Sequence, residues 1–392
     1  MRIGLLTYHH VVNIGSVLQA YCAWRLLTQL YPKARVEIID HVPAVSEQYK
    51  QGYRAQGVAK KGWFGKPEPN AFSRNEEAYL GFLRAHCDFS PALPTTDDER
   101  EVVKAIAALG YDAVFVGSDT VFQLGGYFGH PIAAKLPPNA YYLPGLEGVK
   151  KVGLAASFDP YMGGAEAERL RQVAPLLQAY DRILYRDATA EGLLRDAGVD
   201  PARMAHIPDP TILMDITHLV PGGGADLGTR TKRMAGVAIA DPTVTKQVTG
   251  WVSEAGYEVV DFMYPPQDLT RRAGMGGVVG QALAGYRELD LLVTDRFHGS
   301  ILALQLSAAN VVGIEHHRTY VEPNSKLRDL YARLGIGDHL LRSDESGLDR
   351  PAFDALLNAE HWTRADMMQR MAALRTSGFT SIKRMLDDLM EP

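Results

Sequence analysis

The stretch Leu291-Leu292-Val293-Thr294-Asp295-Arg296-Phe297-His298-Gly299-Ser300 places an acid, an arginine and a histidine directly after an apolar run. The run reads as a buried strand, and Ile301 to Gln305 read as the helix that follows it. A strand that empties into a helix N-terminus is where open α/β sheets bind ligands. The helix start offers backbone N–H groups and the positive end of a dipole, which suit an anion. Arg296 adds a fork-shaped, permanently charged donor for carboxylate or phosphate, and His298 a group that exchanges a proton near neutral pH. The chemistry this spacing points to is binding of a small, multiply anionic substrate, with proton transfer by His298. The competing reading pairs Asp295 with Arg296 and leaves His298 to cap the helix.

Other residues could join that chemistry. Arg186 follows the apolar run Ile183-Leu184-Tyr185. If its strand end faces that of Arg296 across a cleft, two arginines suit a substrate with two anionic groups. An ion pair of Arg186 with Asp187 or Asp181 is the alternative. Lys326 opens a helix after the loop His316-His317-Arg318-Thr319-Tyr320, an electrostatically unfavourable place for a lysine. A bound anion would resolve that conflict, and a solvent-facing lysine is the other possibility. Ser118 and Asp119 follow Val116 in a tight turn, where they receive protons from sugar hydroxyls or simply close the turn. His9 and His10 follow the first strand without the company a metal needs, so no metal is expected.

The elements that position these residues alternate strand and helix. Strands are predicted at Met1–Thr7, Val36–Asp40, Tyr111–Val116, Lys151–Ala156, Arg182–Tyr185 and Met204–Pro210. After Pro221-Gly222-Gly223-Gly224, the best linker in the chain, further strands are predicted at Met234–Ala240, Glu258–Phe262, Leu291–Thr294 and Asn310–Ile314. Asn13 or Ser16 is the expected N-cap of the first helix, and no G-x-G-x-x-G follows the first strand. The expected architecture is α/β, two doubly wound Rossmann-like domains with a cleft between them and a hinge at the linker. The predicted bounds are 1–220, 221–350 and a helical tail at 351–392, where Met367, Met368, Met371 and Leu374 have core-like spacing.

With 392 residues the chain is too long for one ordinary core. A net charge of -5 argues against general nucleic-acid binding. Cys22 and Cys87 make neither a disulfide framework nor a zinc set, and no leader or membrane span is read, so a cytoplasmic setting is expected. Gln48 to Pro67 carries Lys50, Arg54, Lys60, Lys61 and Lys66 among Tyr53, Trp63 and Phe64, with no acid. Such a loop suits an anionic membrane surface at the inner face, or an anionic acceptor, or is simply solvated.

An ordered series of short motifs resembles the polysaccharide pyruvyl transferase family. It comprises Asn13-Ile14-Gly15-Ser16-Val17-Leu18-Gln19-Ala20, Val116-Gly117-Ser118-Asp119, Ala155-Ala156-Ser157-Phe158, Tyr185-Arg186-Asp187, Pro208-Asp209-Pro210, Thr294-Asp295-Arg296-Phe297-His298-Gly299 and Lys326. The resemblance implies a glycosyltransferase-B-like fold. It implies transfer of the enolpyruvate-derived group of phosphoenolpyruvate to a sugar of a cell-surface glycan or its precursor, usually as a cyclic ketal. Phosphoenolpyruvate is then a donor substrate, and no cofactor is implied. The matching residues assigned to it are Arg186, Arg296 and His298, with Lys326 as a further anion contact. Asn13, Gly15, Ser118, Asp119, Ser157 and Asp295 fall in the matching motifs and are read as substrate-binding. Phe122 stands where the pattern often has Trp, and Asp159 where it often has Gly; both bear on the acceptor, which is expected to be lipid-linked, nucleotide-linked or polymeric. A nucleotide-sugar-dependent glycosyltransferase, with Glu315 as an acid for the ribose, and a non-catalytic anionic-sugar binding protein are the competing functions.

Overall fold

The structure, a computed structural model, describes residues 1–55, 71–125, 134–158, 166–221, 232–263, 277–316, 325–344, 347–359 and 361–390. Gly222 to Gly224 of the expected linker, Asp159, Lys60, Lys61, Trp63, Phe64, Lys66 and the loop from His317 to Tyr320 lie outside them. The chain divides into two units, one of Met1–Gly57, Phe72–Met214 and Arg375–Pro392, the other containing Asp215–Leu374.

The first unit is built on β1 (Arg2–Leu6), β2 (Arg35–Ile38), β3 (Ala113–Asp119), β4 (Lys150–Ala156), β5 (Arg182–Tyr185) and β6 (Met204–His206). They lie in the order β2-β1-β3-β4-β5-β6 with every pairing parallel. A parallel sheet covered by helices on both faces needs apolar side chains on both, so its strands read as continuous hydrophobic runs. Ile3, Leu5, Leu6 and Ala113 to Val116 are accordingly sealed from solvent. The chain runs from β1 outward to β2, then crosses back to β3 on the other side. The reversal leaves a crevice at the C-terminal ends of β1 and β3, the position where such sheets take ligands.

The second unit repeats the plan with β7 (Met234–Ala238), β8 (Glu258–Asp261), β9 (Leu291–Thr294), β10 (Asn310–His316) and β11 (Leu340–Ser343), in the order β11-β10-β9-β7-β8. Its pairings are also parallel. Here the reversal falls between β7 and β9, so Asp295, Arg296 and His298 leave the sheet at its switch point. The edge strand β11 and the helix Gly277–Arg287 are absent from the sequence reading. The strand is short and half-exposed at its start, and the helix is broken by glycines that blur its periodicity.

The tail is not a separate element. Met367 and Met371 are fully buried, in keeping with their spacing. Beyond residue 374 the helix Arg364–Met390 belongs to the first unit. There Arg182 Nε donates to the Met385 carbonyl at 3.1 Å and Arg375 Nε to the Ile212 carbonyl at 2.7 Å. At Gly378 an added Cβ would come within 2.6 Å of a Leu213 methyl and 2.7 Å of the rigid Pro208 ring, so glycine favours this approach.

The basic stretch is also corrected in part. Lys50 and Arg54 lie on the helix Ala44–Ala55, where both pair with Glu47 and Glu76. Glu47 precedes the stretch and Glu76 follows it, so their compensation is invisible in the local run of charges. Among the described residues no helix is long and apolar enough to cross a membrane.

Candidate functional site

In the first unit the rim of the sheet is organised around Arg186, at the end of β5. Its guanidinium is buried and faces three carboxylates: Asp209 at 2.7 Å, Asp187 at 3.6 Å and Asp119 at 3.7 Å. Burial alone would favour the neutral form; the three acids outweigh it and push the arginine above its ordinary value. Asp209 is the centre of the contact. Its Oδ1 accepts from the Thr211 N–H and hydroxyl, capping the helix Pro210–Leu213, while its Oδ2 accepts from Arg186 and, at 2.6 Å, from Gln19 Nε2. Asp187 caps the helix Ala188–Asp196 through the Ala190 N–H and accepts the Ser157 hydroxyl.

Asp119 is the most accessible of these acids, with 16% of its side chain exposed against 3% for Asp187 and 0% for Asp209. It accepts from the Ser16 hydroxyl at 2.9 Å and from the Thr120 N–H at 2.8 Å. Its φ of 84° is left-handed, a conformation a non-glycine residue adopts only when its surroundings impose it. Gly117 just before it has φ 131°, and a Cβ there would lie 2.1 Å from the Leu154 carbonyl oxygen. Asn13 caps the helix Ile14–Leu30 by accepting from the Gly15 N–H at 2.7 Å.

Several sequence expectations change here. Arg186 pairs with Asp187, as one reading held, but its close partner is Asp209, and Asp181 instead accepts from the Lys151 N–H. Ser118 and Ser157 are both fully buried, so they lie beneath the rim rather than on it. Phe122 is a core residue, packed on Tyr142, Phe158 and Tyr180 with ring centroids 5.5–5.7 Å away, and is not an acceptor contact. His9 and His10 are buried; His9 is 3.2 Å from Asp40.

In the second unit, β9 delivers Asp295 into the sheet rim and Arg296 to the N-cap of the helix Phe297–Leu306, where no side chain caps the helix. Asp295 Oδ2 accepts from the Ala240 N–H at 2.8 Å, and Oδ1 lies 2.9 Å from Arg296 Nε. The ion pair of the alternative reading is therefore present. It does not sequester the arginine, whose side chain remains 40% exposed. Burial pushes the Asp295 carboxyl up, partly offset by Arg296 and the Ala240 N–H. His298 is half-buried in the first helical turn, its ring edge-on to Phe297. A Cβ at Gly299 would sit 3.2 Å from Arg296 and 3.3 Å from Thr294, so glycine lets the turn fold close over the strand end. Lys326 is the first residue of the helix Lys326–Leu334, after the N-cap Ser325. Glu315 is engaged by Arg328 and Ser325 and buried, which removes it as a ribose acid.

Residues 13–248, more than half of the chain, match the model of the family described as polysaccharide pyruvyl transferase. The chain belongs to the polysaccharide pyruvyl transferase family. The match takes in Asn13, Gly15, Ser118, Asp119, Ser157 and Arg186 and ends before Asp295, Arg296, His298 and Lys326. No curated protein matches the chain. Among solved structures it is similar to an assumed UDP-N-acetylglucosamine 2-epimerase from Listeria monocytogenes, with TM-score 0.54 and 12% identity over 99% of this chain and 97% of that one. An Anabaena protein solved with UDP and glucose gives 0.52 and 10% over 99% and 98%. An S. aureus protein solved with UDP gives 0.50 and 11% over 100% and 97%. At these identities the likeness concerns the fold, and this pyruvyl transferase family member has the expected glycosyltransferase-B-like fold.

Two helix caps and their basic partners were not foreseen, although Pro208-Asp209-Pro210 stood among the matching motifs. Asp209-Pro210-Thr211 and Asp241-Pro242-Thr243 are the same tripeptide after a strand, an acid at N-cap with proline at N1. In both units one carboxylate oxygen caps the helix and the other holds a basic side chain, Arg186 for Asp209 and His316 for Asp241. The repeated Asp-Pro-Thr was the available signal for the caps; the partners come from distant strands and carried none.

Proposed function

We propose that the chain transfers the pyruvyl group of phosphoenolpyruvate to two hydroxyls of a sugar, forming a cyclic ketal and releasing phosphate. The observation that carries this reading is the partly exposed Arg296 at the uncapped N-terminus of the His298 helix. A permanently charged fork and a row of helix N–H groups suit a carboxylate or phosphate, and a histidine beside them can deliver a proton. Family membership supports a polysaccharide or its precursor as the acceptor.

In this reading protonated His298 gives its proton to C3, using the C2–C3 π pair and leaving C2 oxocarbenium-like. A sugar hydroxyl adds to C2. Phosphate departs with the C2–O pair, and the second hydroxyl closes the ketal. Of the two hydroxyl protons, one restores His298 and the other leaves on phosphate. Arg296 holds the anionic end of the donor, with Lys326 as a further contact. Arg186, surrounded by acids, is assigned to holding Asp119 rather than to gripping the donor. The acid-lined rim at Asp119 suits uncharged sugar hydroxyls, which donate to carboxylates, and disfavours an anionic group at that point.

The test is incubation with phosphoenolpyruvate and a panel of lipid-linked, nucleotide-linked and polymeric sugars. The expected product is an acceptor heavier by pyruvic acid less water, with one phosphate released. Transfer of a glycosyl group from a nucleotide sugar, with none from phosphoenolpyruvate, would overturn the proposal.

A further inference from the structure

His316 is the last residue of β10, and its Nε2 lies 3.0 Å from Asp241 Oδ2. The ring is buried and its partner is partly exposed, at 7% and 23% of their side chains. β10 and β7 flank β9, the strand that leads into Arg296 and His298. The Ala240 N–H binds Asp295, so the ends of β7, β9 and β10 form one continuous rim.

We propose that His316, oriented by Asp241, is a second acid–base residue of this rim and takes the proton from the attacking sugar hydroxyl; this rests on the pyruvyl-transfer reading. Asp241 Oδ1 already accepts from the Thr243 and Val244 N–H groups at 2.8 and 2.9 Å, which fixes the carboxylate in place. Burial acts to raise that carboxyl, but the two backbone donors and His316 outweigh it and hold it below its ordinary value. An ionised carboxylate only accepts, so the ring nitrogen facing it carries hydrogen. Nδ1 is then the atom that gains and loses the second proton, the arrangement by which an acid orients a basic histidine.

His316 is met by Asp241, the N-cap of the helix after β7, and lies in the field of Asp295, the residue after β9, itself paired with Arg296. From β11, Ser343 stands in register with His316. Glu315, one residue back, is engaged by Arg328 and Ser325. Asp241 is the carboxylate in hydrogen-bond contact with the ring. The hydroxyl oxygen forms the bond to C2, its O–H pair remains on oxygen, and the proton passes to Nδ1. When phosphate leaves with the C2–O pair, that proton goes with it, while the second hydroxyl proton restores His298.

The full-length enzyme, with His316→Gln and Asp241→Asn, provides the test. His316→Gln is expected to lower kcat by about 10²–10⁴-fold and to remove the acid limb of the kcat profile. Phosphoenolpyruvate affinity should stay within about threefold, since the lost contact acts on the proton and not on the donor. Asp241→Asn should lower kcat with donor affinity unchanged, because an amide that turns its N–H to the ring selects the tautomer with hydrogen on Nδ1 and leaves no base there. A purely structural tie between β10 and the helix Pro242–Glu254 would leave the limb in place, or lower donor affinity and kcat together; either result overturns the proposal. If the wild-type enzyme transfers pyruvyl to no acceptor, the functional reading falls. Nitrogen-15 histidine spectra then decide the proton chemistry of His316 alone, its resonance identified by its loss in His316→Gln. An Nε2–H tautomer titrating between about pH 5 and 8 supports the dyad. A ring fixed as Nδ1–H, or one that does not titrate, overturns it.

Discussion

Arg186 Nη1 lies 2.7 Å from Asp209 Oδ2, and both side chains are withdrawn from water at the rim of the first sheet. A buried ion pair contributes little net stability when compared with a well-packed apolar pair, but removing one partner strands the other. Here removal of Arg186 would strand Asp119, Asp187 and Asp209 together.

Arg186→Ala should therefore cost about 3–5 kcal/mol in urea unfolding. Asp209→Asn should cost less, because Asp119 and Asp187 still face the guanidinium. A loss below about 1 kcal/mol for Arg186→Ala would mean that water enters and the pair is not buried in solution.

His298→Ala is expected to reduce turnover by about 10²–10⁴-fold while phosphoenolpyruvate still binds. Measuring kcat beside the donor dissociation constant separates proton transfer from binding. Equal losses in both would assign His298 to binding alone.

Arg296→Lys should retain the fold, since the side chain is 40% exposed. It should lose most activity, because an ammonium cannot reproduce the planar fork. A lost charge-assisted hydrogen bond of about 1.5–3 kcal/mol corresponds to about 10–100-fold in donor affinity. A fully active lysine variant would remove this role.

His41 gives the protein an acid-sensitive element. Burial, and then repulsion from His9, lower its pKa from 6.5 to about 4. The native state thus favours the neutral ring, while the unfolded chain binds a proton at higher pH. The associated stability is complete above pH 6.5 and is lost as pH falls from there to about 4. The full loss is on the order of 3 kcal/mol. Urea midpoints measured across that window should fall in the wild type and fall less in His41→Asn; parallel curves would show that His41 is not the titrating group.

Gly117→Ala should be poorly tolerated. Its φ of 131° is unfavourable for alanine, and the new Cβ would meet the Leu154 carbonyl oxygen at 2.1 Å. A loss on the order of 1–3 kcal/mol and a displaced Asp119 are expected. Unchanged stability and activity would show that the turn relaxes freely.

Apolar runs that stop at Thr294, Tyr185 and Val116 were enough, by themselves, to forecast buried parallel strands with Arg296, Arg186 and Asp119 near their ends. A strand in a sheet covered by helices on both faces must be apolar on both, and that requirement is written locally. A cap at Asn13 or Ser16 was legible for the same reason, since a cap and its helix are neighbours in the chain, and the structure selects Asn13. The pair with the neighbouring Asp187 was legible, but the meeting of Arg186 with Asp119 and Asp209 was not: these come from other connections, and only the sheet order β3-β4-β5-β6 gathers them. The same holds for His316 and Asp241, 75 residues apart and joined because β10 and β7 both border β9. Local patterning determined the strands and their caps; which charges meet at their ends was decided by strand order, because a carboxylate's partner is chosen by distance in space and leaves no periodic trace in the sequence.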